Sequence, residues 1–145
     1  MRVKSDRSFV LYIILCVVTL GIYGLIFWHN YVKDVNIVCA GDGRHTNGLL
    51  VAILLSIITL GIYYWIWIYG MQTRLQDTAY TYRIGGVSSG GSVLLWYIVG
   101  VLLFCIGPFI ALYKQIDSMN RVADAYNTMS MRGMRGGMQI NNYYY

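Results

Sequence analysis

Three long apolar runs alternate with polar segments along the chain. Phe9–Trp28 holds 20 residues without Asp, Glu, Lys, Arg or His, Leu49–Tyr69 holds 21, and Val93–Tyr113 another 21. At roughly 1.5 Å rise per helical residue, about 20 apolar residues cross a hydrocarbon core ~30 Å thick. The runs therefore predict three membrane spans, about 9–28, 49–69 and 93–113. Behind each run the apolar positions thin out to helical spacing. Trp28, Val32, Val35 and Cys39 form one stripe, Met71, Leu75 and Ala79 a second, and Ile116, Met119, Ala123 and Tyr126 a third. A period near 3.6 with one apolar face reads as an amphipathic helix on a surface or packed beside one. Asp117 and Arg121 add an i,i+4 pair in the favourable order. The fold class predicted is an all-α membrane protein, three apolar spans each followed by a short amphipathic helix, with no sheet.

Breakers divide the chain accordingly. Gly41-Asp42-Gly43 ends the first amphipathic stretch, and Gly85-Gly86-Val87-Ser88-Ser89-Gly90-Gly91-Ser92 links to the third run. Residues 1–8 form a polar N-terminal segment, 9–127 a three-unit helical membrane domain, and 128–145 a Met/Gly/Arg/Tyr tail without apolar periodicity, expected to be flexible.

The units are copies of one another. Thr19-Leu20-Gly21-Ile22-Tyr23 recurs as Thr59-Leu60-Gly61-Ile62-Tyr63, 40 positions on, with Ile13 over Ile53 and Leu15 over Leu55. Gly107-Pro108 stands where a third, looser copy would have its Gly-Ile. A Gly in the middle of an apolar run has two physical readings. In a continuous helix it lets another helix approach closely, so Thr19, Gly21, Tyr23, Thr59, Gly61 and Tyr63 become a helix-packing motif. This is the favoured reading, because a continuous helix satisfies every backbone group without help. In the other, Thr-Leu-Gly is the tip of a re-entrant hairpin that returns to the face it came from. The basic residues do not decide for a crossing: if each run crosses once, five Lys and Arg fall on one side and six on the other.

Composition sharpens the picture. The chain is 57% hydrophobic and 12% charged with a formal net charge of +5, against about 25% charged in soluble domains. The aromatic residues flanking the runs, Trp28, Trp65, Trp67, Tyr69, Trp96 and Tyr113, are expected as interfacial anchors. The first run is expected to be an uncleaved anchor, since it is too long for a usual signal-peptide core. Cys16, Cys39 and Cys105 form no metal or disulfide pattern, and His29 and His45 have no ligand at metal spacing. No Asp, Glu, Lys, Arg or His stands inside a run, and Ser56 has no His or Lys in its span, so neither an enzyme nor a cofactor is expected. Thr19, Ser56, Thr59 and the Tyr hydroxyls could line a small homo-oligomeric pore, which is the alternative to a scaffold or accessory subunit. The expected partners are the lipid bilayer and a second copy or another protein within it; the Arg132–Gly137 stretch is too short to argue for nucleic acid.

The same residues carry a family resemblance. Arg7-Ser8 before an apolar run, Thr19–Tyr23, Trp28, a polar helix with Asp34 and Asn36, then Thr59–Tyr63, Trp65, and Asp117 with Asn120 resemble the bacterial family catalogued as domain of unknown function 4234. The resemblance covers about residues 7 to 127. It implies an integral membrane helical domain without an assigned activity, placed as a multi-pass protein of the bacterial cytoplasmic membrane. Some members carry a zinc ribbon ahead of the apolar runs, which this sequence lacks.

Overall fold

The computed structural model describes residues 2–102 and 106–141, with side chains described to residue 100 and from 106 to 133. Each apolar run is broken at its middle. Helix α1 covers Phe9–Val18 and α2 covers Ile22–Val38; α3 covers Leu49–Ile58 and α4 Ile62–Thr81; α5 covers Gly90–Leu102 and α6 Gly107–Asn141. A one-turn 3-10 helix, Ala40–Asp42, lies between α2 and α3. The chain is three helical hairpins, all-α among the described residues.

The spans expected at 9–28, 49–69 and 93–113 are thus corrected. Among the described residues no helix is long and apolar enough to cross a membrane. The cause is the backbone at the tips. Leu20 and Leu60 have φ of 51°, and Gly21 and Gly61 have φ of 91° and 89°. Two consecutive left-handed residues reverse the chain, and α1 is left with 10 residues, about 15 Å of helix. The multi-pass placement in a bacterial plasma membrane falls with the spans. So does the close-packing role for Gly21 and Gly61: a Cβ built on either would meet nothing. They are glycines because of their φ. Close backbone approach occurs instead in the third hairpin, where a Cβ on Gly100 would overlap the Gly107 backbone.

The second arms carry the core. Of the stripes read from the sequence, Val32, Val35, Cys39, Met71, Leu75, Ala79, Ile116, Met119 and Ala123 are buried, and Trp28 and Tyr126 are half-buried against them. They face one another where α2, α4 and α6 meet. The Trp28 and Trp67 rings lie 6.1 Å apart, and the Tyr31 hydroxyl donates to the Gln115 carbonyl at 3.0 Å. Trp28 and Trp67 stand seven and six residues past Gly21 and Gly61, and Tyr31 and Gln115 ten and eight past Gly21 and Gly107. Partners at matching distances from their tips mean that the three second arms run side by side in one direction. The hairpins therefore point the same way.

Side-chain amides fix that arrangement from the far end. Asn36 grips the Thr46 backbone, accepting from its N–H at 2.8 Å and donating to its carbonyl at 2.9 Å. Asn120 grips Arg7 in the same manner at 3.1 and 2.8 Å. Gln72 donates to the Ser88 carbonyl at 2.6 Å, while the Ser88 N–H donates to the Ser118 hydroxyl at 3.1 Å. Arg7, Thr46 and Ser88 each lie just ahead of a hairpin. Hairpin two is held by the helix of hairpin one, hairpin three by that of two, and hairpin one by that of three. The ring of three closes. Asn127, gripping Val3 at 2.8 and 2.6 Å, ties the N-terminal segment to the same helix. Beyond it, α6 runs on through the segment set apart as a flexible tail as far as Asn141. Cys105 and residues 142–145 lie outside the described residues.

Candidate functional site

Thr19 explains how an apolar tip can turn with its N–H groups paired. It caps the C-terminus of α1, its hydroxyl donates to the Leu15 carbonyl at 2.7 Å, and the same oxygen accepts from the Tyr23 N–H at 2.9 Å. The remaining amides close inward. Thr19 N–H donates to Leu15 O, Leu20 to Val17, Gly21 to Cys16, Ile22 to Thr19 and Gly24 to Gly21. All six N–H groups from Thr19 to Gly24 are paired within the tip. The second copy repeats it: Thr59 donates to Leu55 at 2.7 Å and accepts from Tyr63 at 2.9 Å, and the Gly61 N–H reaches the Ser56 carbonyl at 2.6 Å.

The side chains at these tips do the opposite of their backbone. Leu20 is 94% and Leu60 93% exposed. Ile22, Ile62, Val17, Val18, Ile57 and Ile58 are exposed beside them. Helix α1 buries no residue and α3 only Ala52, although they are the most apolar helices of the chain. Exposed Leu in left-handed backbone is unfavourable twice over, by its solvent contact and by its φ. Features of that kind mark places where the fold serves something other than its own stability.

Charged groups collect at the opposite end, where two buried arginines are spent on structure. Arg74 is buried and satisfies every N–H it has. It donates to both Asp42 oxygens at 2.7 and 3.0 Å, to Asn36 Oδ1 and Thr46 Oγ1 at 2.7 Å each, and to the Arg44 carbonyl at 2.7 Å. This one side chain shapes the loop that leads into hairpin two. Forty residues earlier, Asp34 holds the equivalent place and pairs with Arg7, whose guanidinium lies 5.9 Å from the Tyr31 ring centre. Arg44 pairs with Asp77 at 2.7 Å, and Arg121 with Asp117 at 2.7 Å.

The carboxylates paired with the two buried arginines titrate in opposite senses. The Arg74 hydrogen bond, aided by the Arg44 N–H, holds the Asp42 carboxyl below its ordinary 3.8. Burial pushes the Asp34 carboxyl above 3.8, against the pull of Arg7. A depressed carboxyl contributes stability above its unfolded pKa and loses it as pH falls through the folded one. Asp42 should therefore cost stability in acid below about pH 4, while Asp34 gains slightly as it protonates above that. Thermal melts of Asp42→Asn against pH should be flatter on the acid side than the wild type and lower at neutral pH.

The aromatic anchors divide. Trp67 is buried and donates from Nε1 to the Asn47 carbonyl at 2.8 Å, so it is a core residue that holds the lead-in to hairpin two. Trp28 and Trp96 are half-buried against the core, whereas Trp65, Tyr69 and Tyr113 are exposed. Tyr63 accepts from Asn47 Nδ2 at 2.8 Å. Ser56, considered for a pore lining with Thr19 and Thr59, donates to the Ala52 carbonyl at 2.6 Å, so all three hydroxyl protons are committed to backbone. Among the described residues no three His, Cys, Asp or Glu side chains gather as metal ligands.

At the base of the hairpins the repeat builds a groove twice. One, about 390 Å³, lies between the segment around Lys4–Ser8 and α2. The other, about 380 Å³, lies between Arg44–Asn47 and α4. Tyr23, Ile26, Phe27, Asn30 and Asp34 line the first, and Tyr63, Ile66, Trp67, Gly70 and Arg74, their counterparts 40 residues on, line the second.

The family model described as Domain of unknown function (DUF4234) matches the chain twice, over residues 7–77 and 47–121. The chain belongs to this family. The first match spans hairpins one and two, and the second spans hairpins two and three up to Arg121. The model shifts by one hairpin and fits again, which is what a three-unit repeat requires. No curated protein and no solved structure matches the chain.

Proposed function

We propose that this member of the DUF4234 family is a non-catalytic scaffold that sits on one leaflet of a lipid bilayer, with its hairpin tips among the acyl chains and its polar helices outside. The tips carry this reading. A turn in water can leave amide groups to the solvent and present polar side chains. Here six consecutive amides are closed internally and the side chains are apolar, the arrangement suited to a solvent that cannot hydrogen-bond. The depth agrees. An arm of 10 residues is about 15 Å long, half of a ~30 Å hydrocarbon core. The hairpin also accounts for the even split of basic residues, since both flanks of each run return to the same face. The scaffold role rests on the closed ring of three hairpins and on Arg7 and Arg74, whose ion pairs hold the segments ahead of hairpins one and two.

The test is flotation of the purified chain with phosphatidylcholine vesicles enclosing a dye. In a chain freed of its own cysteines, single cysteines would replace Arg2, His45, Gly85 or Leu20. The protein should float, the dye should stay inside, and an impermeant thiol reagent outside should label the first three positions and spare Leu20. A chain left in the aqueous fraction, alone or as an oligomer that covers the tips with a second copy, would overturn the proposal. So would labelling from opposite faces. Dye release would favour the pore.

A further inference from the structure

We propose that the groove at the base of hairpin one binds a single anionic phospholipid; this deepens the leaflet reading and rests on it. The groove is graded along the direction a lipid would take. Nearer the tip it is lined by Leu11, Tyr23, Ile26 and Phe27, and at its mouth by Lys4, Ser8 and Lys33. Its ~390 Å³ falls in the range of ligand pockets, about 300–1,000 Å³. Asn30, Lys33 and Ile37 follow Ile26 one turn at a time along α2, so a chain lying against Ile26 has its polar end beside Lys33.

Charge separates this groove from its copy. Arg7 is taken by Asp34. Lys4 and Lys33 are exposed and enter no ion pair among the described residues, and Asp6 is the remaining carboxylate at the mouth. One positive charge is left over. In the copy, Arg44 stands where Lys4 stood, but it is committed to Asp77 and Asp42, and Arg74 to Asp42. The repeat thus makes two similar clefts, and only the first keeps free cations at its mouth. One anionic headgroup per chain follows. The headgroup phosphate is shared chemistry with a free phosphate ion, and the apolar half of the groove selects the lipid.

Native mass spectrometry of the full chain, released from micelles holding equal phosphatidylcholine and phosphatidylglycerol, tests this. The wild type should carry one phosphatidylglycerol, and so should Arg132→Gln, which removes one positive charge away from the groove. Lys4→Gln with Lys33→Gln should lose it, by about fivefold per lysine and roughly thirtyfold together, while floating with phosphatidylcholine vesicles as the wild type does. Retention of the adduct by the double variant, or its equal loss in Arg132→Gln, would overturn the site. Displacement by inorganic phosphate would reassign it to a free anion. Failure of the wild type to float on phosphatidylcholine would instead overturn the leaflet reading.

Discussion

Leu20→Asp combined with Leu60→Asp is expected to release the protein from phosphatidylcholine vesicles without unfolding it. At mid-bilayer depth a Leu contributes about −0.5 kcal/mol to insertion and an Asp opposes it by about 3 kcal/mol. Each exchange therefore costs on the order of 3 kcal/mol, and the pair lowers partitioning by about four orders of magnitude if both tips reach that depth. Outside lipid the same exchanges cost nothing comparable. Leu20 and Leu60 are almost wholly exposed and hold a φ of 51°, which Asp adopts more readily than Leu. The thermal midpoint in the absence of vesicles should hold or rise. Leu20→Phe with Leu60→Phe should keep flotation. A double Asp variant that floats like the wild type would end the leaflet reading, because among the described residues Leu20 and Leu60 are the most exposed large apolar side chains.

The same two leucines mark where sequence reasoning stopped. The three units, their register and their buried stripes were all legible, because Val32, Val35, Met71, Leu75, Ile116 and Met119 recur at the helical period. Helix against hairpin was not decided by that period. A hydropathy count treats Thr-Leu-Gly as three acceptable residues of a long apolar helix, and Leu has no preference for positive φ. A turn at that depth is expected to strand backbone polar groups, which favours the continuous helix. Thr19 answers this for the N–H groups, since its hydroxyl serves α1 and α2 at once. Two signals for the hairpin were present: Gly at the same place in two copies, and basic residues shared evenly between the flanks. The ring of clamps was beyond reach for another reason. Asn120 and Arg7 are 113 positions apart, and an Asn in a polar helix gives no sign of the backbone it will hold. Its place beside Asp117 in the family pattern was visible; its partner was not.

The other large effect is expected at the ionic end. Arg74→Met should destabilise the fold by about 3–5 kcal/mol, since Asn36, Thr46 and the Arg44 carbonyl lose a donor together and Asp42 keeps only Arg44. Typical domains hold only about 5–15 kcal/mol in all, so the thermal midpoint should fall on the order of 10 °C. The geometry says why a lysine will not replace it. Arg74 uses Nε and both terminal nitrogens to reach Asp42, Asn36, Thr46 and the Arg44 carbonyl, and an ammonium has three donors from one point. Arg74→Lys should recover less than half of the loss. Asp42→Asn added to Arg74→Met should recover little of it, because Arg44 still faces the carboxylate. The damage should also stay local in kind. Asn36 holds Thr46 directly, but it shares its Oδ1 with Arg74, so the lead-in to hairpin two loosens first. Hydrogen exchange should then rise at Arg44–Gly48 and in α3 before it rises in α2 or α6. Equal stability of Arg74→Met and the wild type would mean that the loop is held without its arginine, and the closed ring would rest on the amide clamps alone.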